Sequence, residues 1–377
     1  MIKSFQILDF FHATLRKRQP RAVSASGVLL VAAGGLGDTV LLSLVLNRFA
    51  ELAGAGDAVT VLIRRESKKM DFLFPDNVNV LAVDFARFHS NLAYRWNISR
   101  TLYNNNYRLV VSVDFLRHPY LDEAMIRACR APESMAMIPR PWPKYDRQLR
   151  HNQSIFNRLF DSGPIHMDKV VRWARFADWL TGRTRPPPMV YLPSEKAATE
   201  TDREGGPVVI QPFSAVGAKQ LPAIFYLRLI EILPEDFRYI VTGTQSDLDR
   251  NPEFQAVLDL PNVVFDSSTF EELMPTLGAA RLVISVDTAM MHLAVTAGAP
   301  TLCLASAAYV GEITPYAPEI TPANVKFYYS PMPCEGCLGN CRFKLENGMY
   351  PCIAKLMPDE AGEWVASLLE KGIEGRV

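Results

Sequence analysis

The sequence predicts an α/β protein made of two doubly wound, Rossmann-like domains that face each other across a cleft. Three observations lead there. Short runs rich in Val, Ile and Leu alternate with helix-length segments in both halves of the chain. The length of 377 residues exceeds that of an ordinary single domain. Between the halves lies RTRPPPMVYLP, whose three consecutive prolines form a stiff, extended boundary. The expected organisation is a basic arm at 1–26, a first domain at 27–184, a second at 185–357 and a terminal helix at 358–377.

The arm reads MIKSFQILDFFHATLRKRQPRA. Its apolar residues Ile2, Phe5, Ile7, Leu8, Phe11 and Leu15 are spaced to share one side of an amphipathic helix. The basic residues Arg16, Lys17, Arg18 and Arg21 follow the apolar part and no small-residue cleavage site comes next, so the arm does not read as a signal peptide. Two readings stay open for it: contact with an anionic membrane surface, or packing on the protein itself. The longest apolar stretch, 289–310, is interrupted by His292, Gly298 and Pro300 and reads as helix, turn and strand rather than a membrane span. A cytoplasmic protein is expected, with peripheral membrane contact the open question.

In the first half, GVLLVAA (27–33) reads as a strand and DTVLLSLVLNRFAELAG as a helix. VTVLIRR (59–65), VNVLAVD (78–84) and YRLVVSVD (107–114) read as further strands. MDKVVRWARFADWLTG is an amphipathic helix closed by Gly182. In the second half, GPVVIQP (206–212), FRYIVTG (237–243), NVVFD (262–266), RLVISVD (281–287) and APTLCLAS (299–306) repeat the pattern. Pro358, Asp359 and Glu360 mark the start of the terminal helix.

Three loops at strand ends carry chemistry. In AAGGLGDTVLL, Gly35 and Gly37 provide the first two glycines of a G-x-G-x-x-G turn, but Val40 stands at the third. Asp38 there puts a carboxylate where a pyrophosphate would sit, so the turn aims an acid at the sheet edge; a plain helix-capping role for Asp38 is the competing reading. In VVIQPFSAVGAKQLP, Ser214, Gly217 and Lys219 follow a strand, and the lysine is a mobile point charge suited to a diphosphate. In RLVISVDTAMMHLAVTAG, Asp287 and Thr288 sit between a buried strand and a helix whose first amides form an anion site. His292 lies one turn beyond Thr288 on the same helix face. The competing reading makes Asp287 a cap and His292 a partnered core histidine.

These segments resemble glycosyltransferase family 9, the lipopolysaccharide heptosyltransferases and their relatives. AGGLGDTVLLSLVLNRF is similar to the family's N-terminal motif, QPFSAVGAKQLP to its donor-phosphate loop, and SVDTAMMHLAVTAGAP to its Asp-Thr-Gly-x-x-His-Leu-Ala motif. VVSVDFLRHPY resembles the segment that faces the acceptor. The resemblance spans about residue 27 to the C-terminus and implies a GT-B fold, with an acceptor-side first domain and a nucleotide-sugar-binding second one. It implies that Asp38 is the general base and that Lys219, with the Thr288 and Ala289 amides, binds the donor diphosphate. It further implies that Asp287 holds sugar hydroxyls beside His292, and that Ser214, Gln245, Ser268 and Met290 line the donor site. The implied reaction is an inverting transfer of a sugar, heptose, from a nucleotide-diphosphate donor such as ADP-heptose to a cell-envelope glycan or lipopolysaccharide core acceptor. Lysine and backbone amides on the diphosphate then leave no cofactor required for the chemistry. Two positions depart from the family's pattern: Ala289 replaces the motif's glycine, and Gln245 replaces an acid.

Composition limits the alternatives. A hydrophobic share of 49% with 21% charged residues is that of a globular protein. The 40 basic residues balance 40 acidic ones, so no basic field is available to hold nucleic acid. An NADP-dependent oxidoreductase draws support from the Gly-rich turn and from Arg64 and Arg65 after the second strand, and is opposed by Val40 and Asp38. A catalytically silent assembly protein on the same scaffold is the third reading. Four of the six cysteines cluster as Cys334-x2-Cys337-x3-Cys341-x10-Cys352. That spacing reads as a structural tetrathiolate metal site, zinc first and iron second, or else as reduced structural thiols.

Overall fold

A computed structural model describes residues 4–16, 21, 24–54, 56–192, 203 and 205–374. The chain divides into two compact units, one of residues 1–165 and 172–186, the other of 166–171 and 187–377. The last crossing falls between Pro186 and Pro187, inside the proline run.

The first unit is built on a fully parallel sheet in the order β3-β2-β1-β4-β5-β6. Its strands are β1 (Val28–Val31), β2 (Val59–Arg64), β3 (Val78–Val83), β4 (Leu109–Ser112), β5 (Glu133–Met137) and β6 (Arg158–Phe160). The four residues of β1 are almost wholly excluded from solvent, which explains their unbroken Val-Leu-Leu-Val pattern. The second unit repeats the order as β9-β8-β7-β10-β11-β12. Its strands are β7 (Val208–Gln211), β8 (Tyr239–Thr242), β9 (Val263–Asp266), β10 (Leu282–Val286), β11 (Thr301–Leu304) and β12 (Val325–Tyr328).

Each sheet therefore reverses direction between its first and fourth strands, β1 with β4 and β7 with β10. In a doubly wound sheet the carboxyl ends of those two strands open a crevice that takes ligands. The two units are α/β with the strand order of a Rossmann-like domain, as expected. Three strands escape the sequence reading: β5, β6 and β12. β5 reads ESMAM, with no β-branched residue; β6 has three residues; β12, at an edge, carries Lys326.

The N-terminal segment folds as a helix, Ser4–Arg16, within the first unit. Phe5 and His12 are buried on its inner side, and Arg95 holds Asp9 through two bonds of 2.6 and 2.7 Å. The apolar residues expected on one side of it fall on two, because Phe5 points inward while Ile7, Phe11 and Leu15 are exposed. Of its basic cluster, Lys17 and Arg18 lie outside the described residues, and Arg21 stacks on Tyr103.

Candidate active site

The crevice of the first unit is made by the turn after β1. The helix Leu36–Ala50 starts at Gly35, and Asp38, in its first turn, folds back so that its Oδ2 accepts the Gly35 N–H at 2.8 Å. The turn is tied down on all sides. Asp114, just past β4, accepts the Ala33 N–H at 2.6 Å, and Arg64 donates to the Ala33 carbonyl at 2.5 Å. A Cβ on Gly34 would lie 2.4 Å from that of Asp38, so only glycine permits the carboxylate to approach this closely. Gly35 and Gly37 flank the same turn. Asp38 is thus both the helix cap of one reading and a carboxylate at the switch point of the sheet.

Behind the turn lies a group of buried acids. Asp114, Asp122 and Glu123 are all buried, with Arg117 paired to Glu123 at 3.0 Å. Burial pushes the Asp122 carboxyl up to about 7, against the pull of the His118 N–H it accepts. Arg64 and Arg65, the arginines that supported a dinucleotide reading, are engaged elsewhere: Arg64 on Ala33 and over the Phe85 ring, Arg65 with Asp84 at 3.2 Å.

In the second unit the crevice between β7 and β10 has the opposite character. Lys219 ends a short helical turn, Gly217–Lys219, and its Nζ sits 3.3 Å from Asp287 Oδ1. Both side chains are more than nine-tenths buried, so the charges face each other with little water between them. Ser306, past β11, donates to Asp287 Oδ2 at 3.0 Å, and the Lys219 ammonium lies over the Tyr309 ring at 4.8 Å. The helix Ala289–Thr296 starts directly after this pair. Its N-cap, Thr288, makes no side-chain capping bond; the hydroxyl instead donates to the Val286 carbonyl at 3.3 Å. Helical geometry leaves the Ala289, Met290 and Met291 amides without intrahelical acceptors, beside the only lysine of the loop.

The remaining expected donor-site residues take different places. Ser214 shapes the lysine loop: its hydroxyl accepts the Val216 N–H and its amide donates to Gln220. Gln245 opens the helix after β8 and Ser268 follows β9, both exposed. Met290 is buried. His292 is also buried, 2.6 Å from the Tyr316 hydroxyl through Nδ1, in the position of a partnered core histidine. Burial drives the Tyr316 hydroxyl well above its ordinary value, so it remains a proton donor.

The four clustered cysteines line one small cavity with Ala307, Ala308, Met332, Tyr350 and Pro351. The cysteine segment is joined to the loops around the second unit's crevice: Gly336 and Leu338 donate to the Ala307 and Ala308 carbonyls, and Tyr350 N–H to the carbonyl of Ala218. Burial raises the Cys334 and Cys352 thiols, with neighbouring thiols adding to it. Among the described residues, no three His, Cys, Asp or Glu side chains are arranged to hold a metal ion as they stand.

Residues 144–339, just over half of the chain, match the family model of glycosyltransferase family 9 (heptosyltransferase). The chain belongs to glycosyltransferase family 9. No curated protein matches it in sequence. Solved structures share its fold at low identity. A family 9 glycosyltransferase from Veillonella parvula is 13% identical, with a TM-score of 0.65 over 94% of this chain and 100% of that one. The E. coli ADP-heptose lipopolysaccharide heptosyltransferase II is 12% identical, with 0.62 over 92% and 99%. The E. coli heptosyltransferase WaaC, solved with ADP-2-deoxy-2-fluoro heptose, is 16% identical, with 0.63 over 92% and 99%.

Sequence reasoning located Asp38, Lys219 and Asp287 by their places after strands. It missed Ser306, Tyr309, Asp114 and Gly34. The first three reach the site through strand order, and Gly34 was hidden by the two better-spaced glycines beside it.

Proposed function

We propose that this family 9 protein is an inverting glycosyltransferase that moves a sugar, heptose, from a nucleotide-diphosphate donor, ADP-heptose, to a glycan or glycolipid acceptor of the cell envelope. The observation that carries this reading is the buried Lys219–Asp287 pair at the start of an uncapped helix. A cation and a row of backbone amides at one switch point are a site for a diphosphate. The spacing of the neighbouring loops supports the same reading. Asp287, the lysine loop, Gln245 and Ser268 follow β10, β7, β8 and β9, which are adjacent in that order. Three strand spacings of about 4.8 Å give roughly 14 Å of sheet edge, enough for diphosphate, ribose and base in an extended row.

In the proposed reaction the acceptor hydroxyl attacks the anomeric carbon from the face opposite the leaving group. Its proton passes to the Asp38 carboxylate as the new C–O bond forms. The bond from the anomeric carbon to the phosphate oxygen breaks, and its electron pair leaves with the nucleoside diphosphate. Lys219 and the Thr288, Ala289 and Met290 amides stabilise that charge, while Asp287 holds the sugar hydroxyls with His292 close by in support. The four-cysteine cavity is proposed as a structural site for zinc, or iron, since four cysteine sulfurs facing one cavity are a donor set that suits either metal. A bound ion would draw the 334–341 loop onto Cys352 and brace the Ala307–Ala308 and Ala218 segments.

Calorimetry with ADP, UDP, GDP and NADP⁺ tests the reading. One diphosphate is expected to bind tightly to the wild type and about tenfold or more weaker to Lys219→Gln. NADP⁺ alone binding, indifferent to Lys219, would overturn it. Metal analysis of protein purified without a tag is expected to give about one equivalent per chain, and less than about a tenth would remove the metal.

A further inference from the structure

The helix Ser4–Arg16 is apolar on two sides, and only one of them is used. Phe5, Asp9 and His12 face the first unit: Phe5 lies against His89 and Tyr120, and His12 against Trp96 and Tyr103. The opposite side carries Ile7, Phe10, Phe11 and Leu15, which are 48%, 68%, 55% and 55% exposed. Their spacing, i, i+3, i+4 and i+8, makes one continuous stripe. Two exposed phenylalanines on a single helix face are unusual on a soluble surface, and the stripe amounts to some 500 Å², the size of the largest patch on a typical monomer.

We infer that this stripe seats the protein on an anionic membrane surface. The charge around it has the right sign. The only acid of the helix, Asp9, is neutralised by Arg95 on the inner side, and the chain continues from the helix as Arg16-Lys17-Arg18. A basic run that follows an apolar stripe in the sequence fits anionic headgroups over acyl chains. The length fits too. Thirteen residues extend about 20 Å, short of the roughly 30 Å hydrocarbon core, so the helix lies in the interface and does not cross it. A second copy is the weaker occupant. A stripe of this area supplies less than the roughly 800 Å² per partner of a standard protein interface.

The test is co-sedimentation of the full-length protein with vesicles of phosphatidylcholine alone or mixed with phosphatidylglycerol. Binding is expected on the mixed vesicles and to weaken with salt. Phe10→Ser/Phe11→Ser should lower the bound fraction by about tenfold, with an unchanged melting temperature because both side chains are exposed. Ile7→Ser/Leu15→Ser is the second variant should the first fold poorly. Lys17→Glu/Arg18→Glu should lower binding to the mixed vesicles only. Absence of binding to either vesicle, or binding indifferent to both apolar pairs, would overturn the inference. So would a dimer in light scattering that Phe10→Ser/Phe11→Ser dissolves, since the stripe would then be a protein interface.

Discussion

The two units repeat one strand order and put opposite electrostatics into the same crevice. In the first, the acid stands inside the helix, in its first turn, where Asp38 satisfies the Gly35 amide and the helix start provides its own anion. In the second, the acid stands one residue before the N-cap, where Asp287 turns to Lys219 and Ser306 and leaves the helix amides for another anion. Moving a carboxylate by a few positions thus decides whether the helix start is satisfied by its own acid or left open. In the proposed reaction the phosphate and the proton acceptor belong to different sheets.

Replacing Asp38 should have the largest effect. Asp38→Asn keeps a side-chain oxygen for the Gly35 N–H and so preserves the cap, but it cannot take a proton. Turnover should fall about 10²- to 10⁴-fold while donor affinity and melting temperature hold. Asp38→Ala should lose the same activity and about 1 kcal/mol of stability besides. Undiminished turnover in Asp38→Asn would reduce the residue to a cap and erase the contrast between the crevices.

The second crevice is challenged through its ion pair. Lys219→Ala leaves Asp287 buried without a counter-charge, which should cost about 3–5 kcal/mol in denaturant unfolding. Lys219→Met/Asp287→Asn removes both charges and should recover most of that stability without restoring donor affinity. Recovery of both would show that the pair is structural and that the diphosphate binds elsewhere.

The acid-rich character of the first unit predicts a pH dependence. Asp122 carries a carboxyl raised from 3.8 to about 7, so its folded state holds a proton that its unfolded state has given up. Its contribution is fully present below pH 3.8 and is lost as pH rises through about 7. Asp122→Asn still accepts the His118 N–H and carries no charge. Its stability should be flatter across this window and exceed the wild type above pH 7 by on the order of 4 kcal/mol. A fall in the wild type that persists undiminished in Asp122→Asn would place the proton on another of the clustered acids.

What the sequence revealed depended on how local the cause was. β1 and β10 were legible because strands buried on both faces are nearly continuous apolar runs: Val28–Val31 is wholly apolar, and Leu282–Val286 is but for the buried Ser285. β5 was not, because ESMAM is made a strand by β4 beside it and not by its own residues. The site divides the same way. Asp287 follows β10 directly, Asp38 and Lys219 stand in the turn and loop after β1 and β7, and a reader of strands finds all three. Asp114 meets Ala33 across 81 residues and Ser306 meets Asp287 across 19, through strand pairs that only the fold creates. Phe10 was passed over for a similar reason: one side of the helix was expected to be apolar, and the arm has two.

The smallest effect should come from Gly34, and it is the most direct probe of how the first crevice is built. A methyl group there would meet Asp38 Cβ at 2.4 Å, far inside contact distance, and since backbone fixes a Cβ, either the helix start that carries Asp38 or the turn must move. The turn resists, because Asp114 and Arg64 hold Ala33 from both sides. Asp38 should therefore yield in Gly34→Ala, losing its bond to the Gly35 amide at a cost of about 1–2 kcal/mol. Turnover should fall while diphosphate affinity, which belongs to the other unit, stays as it was. Equal losses in both would mean that the two crevices do not act separately, and that the contrast between them lies in charge alone.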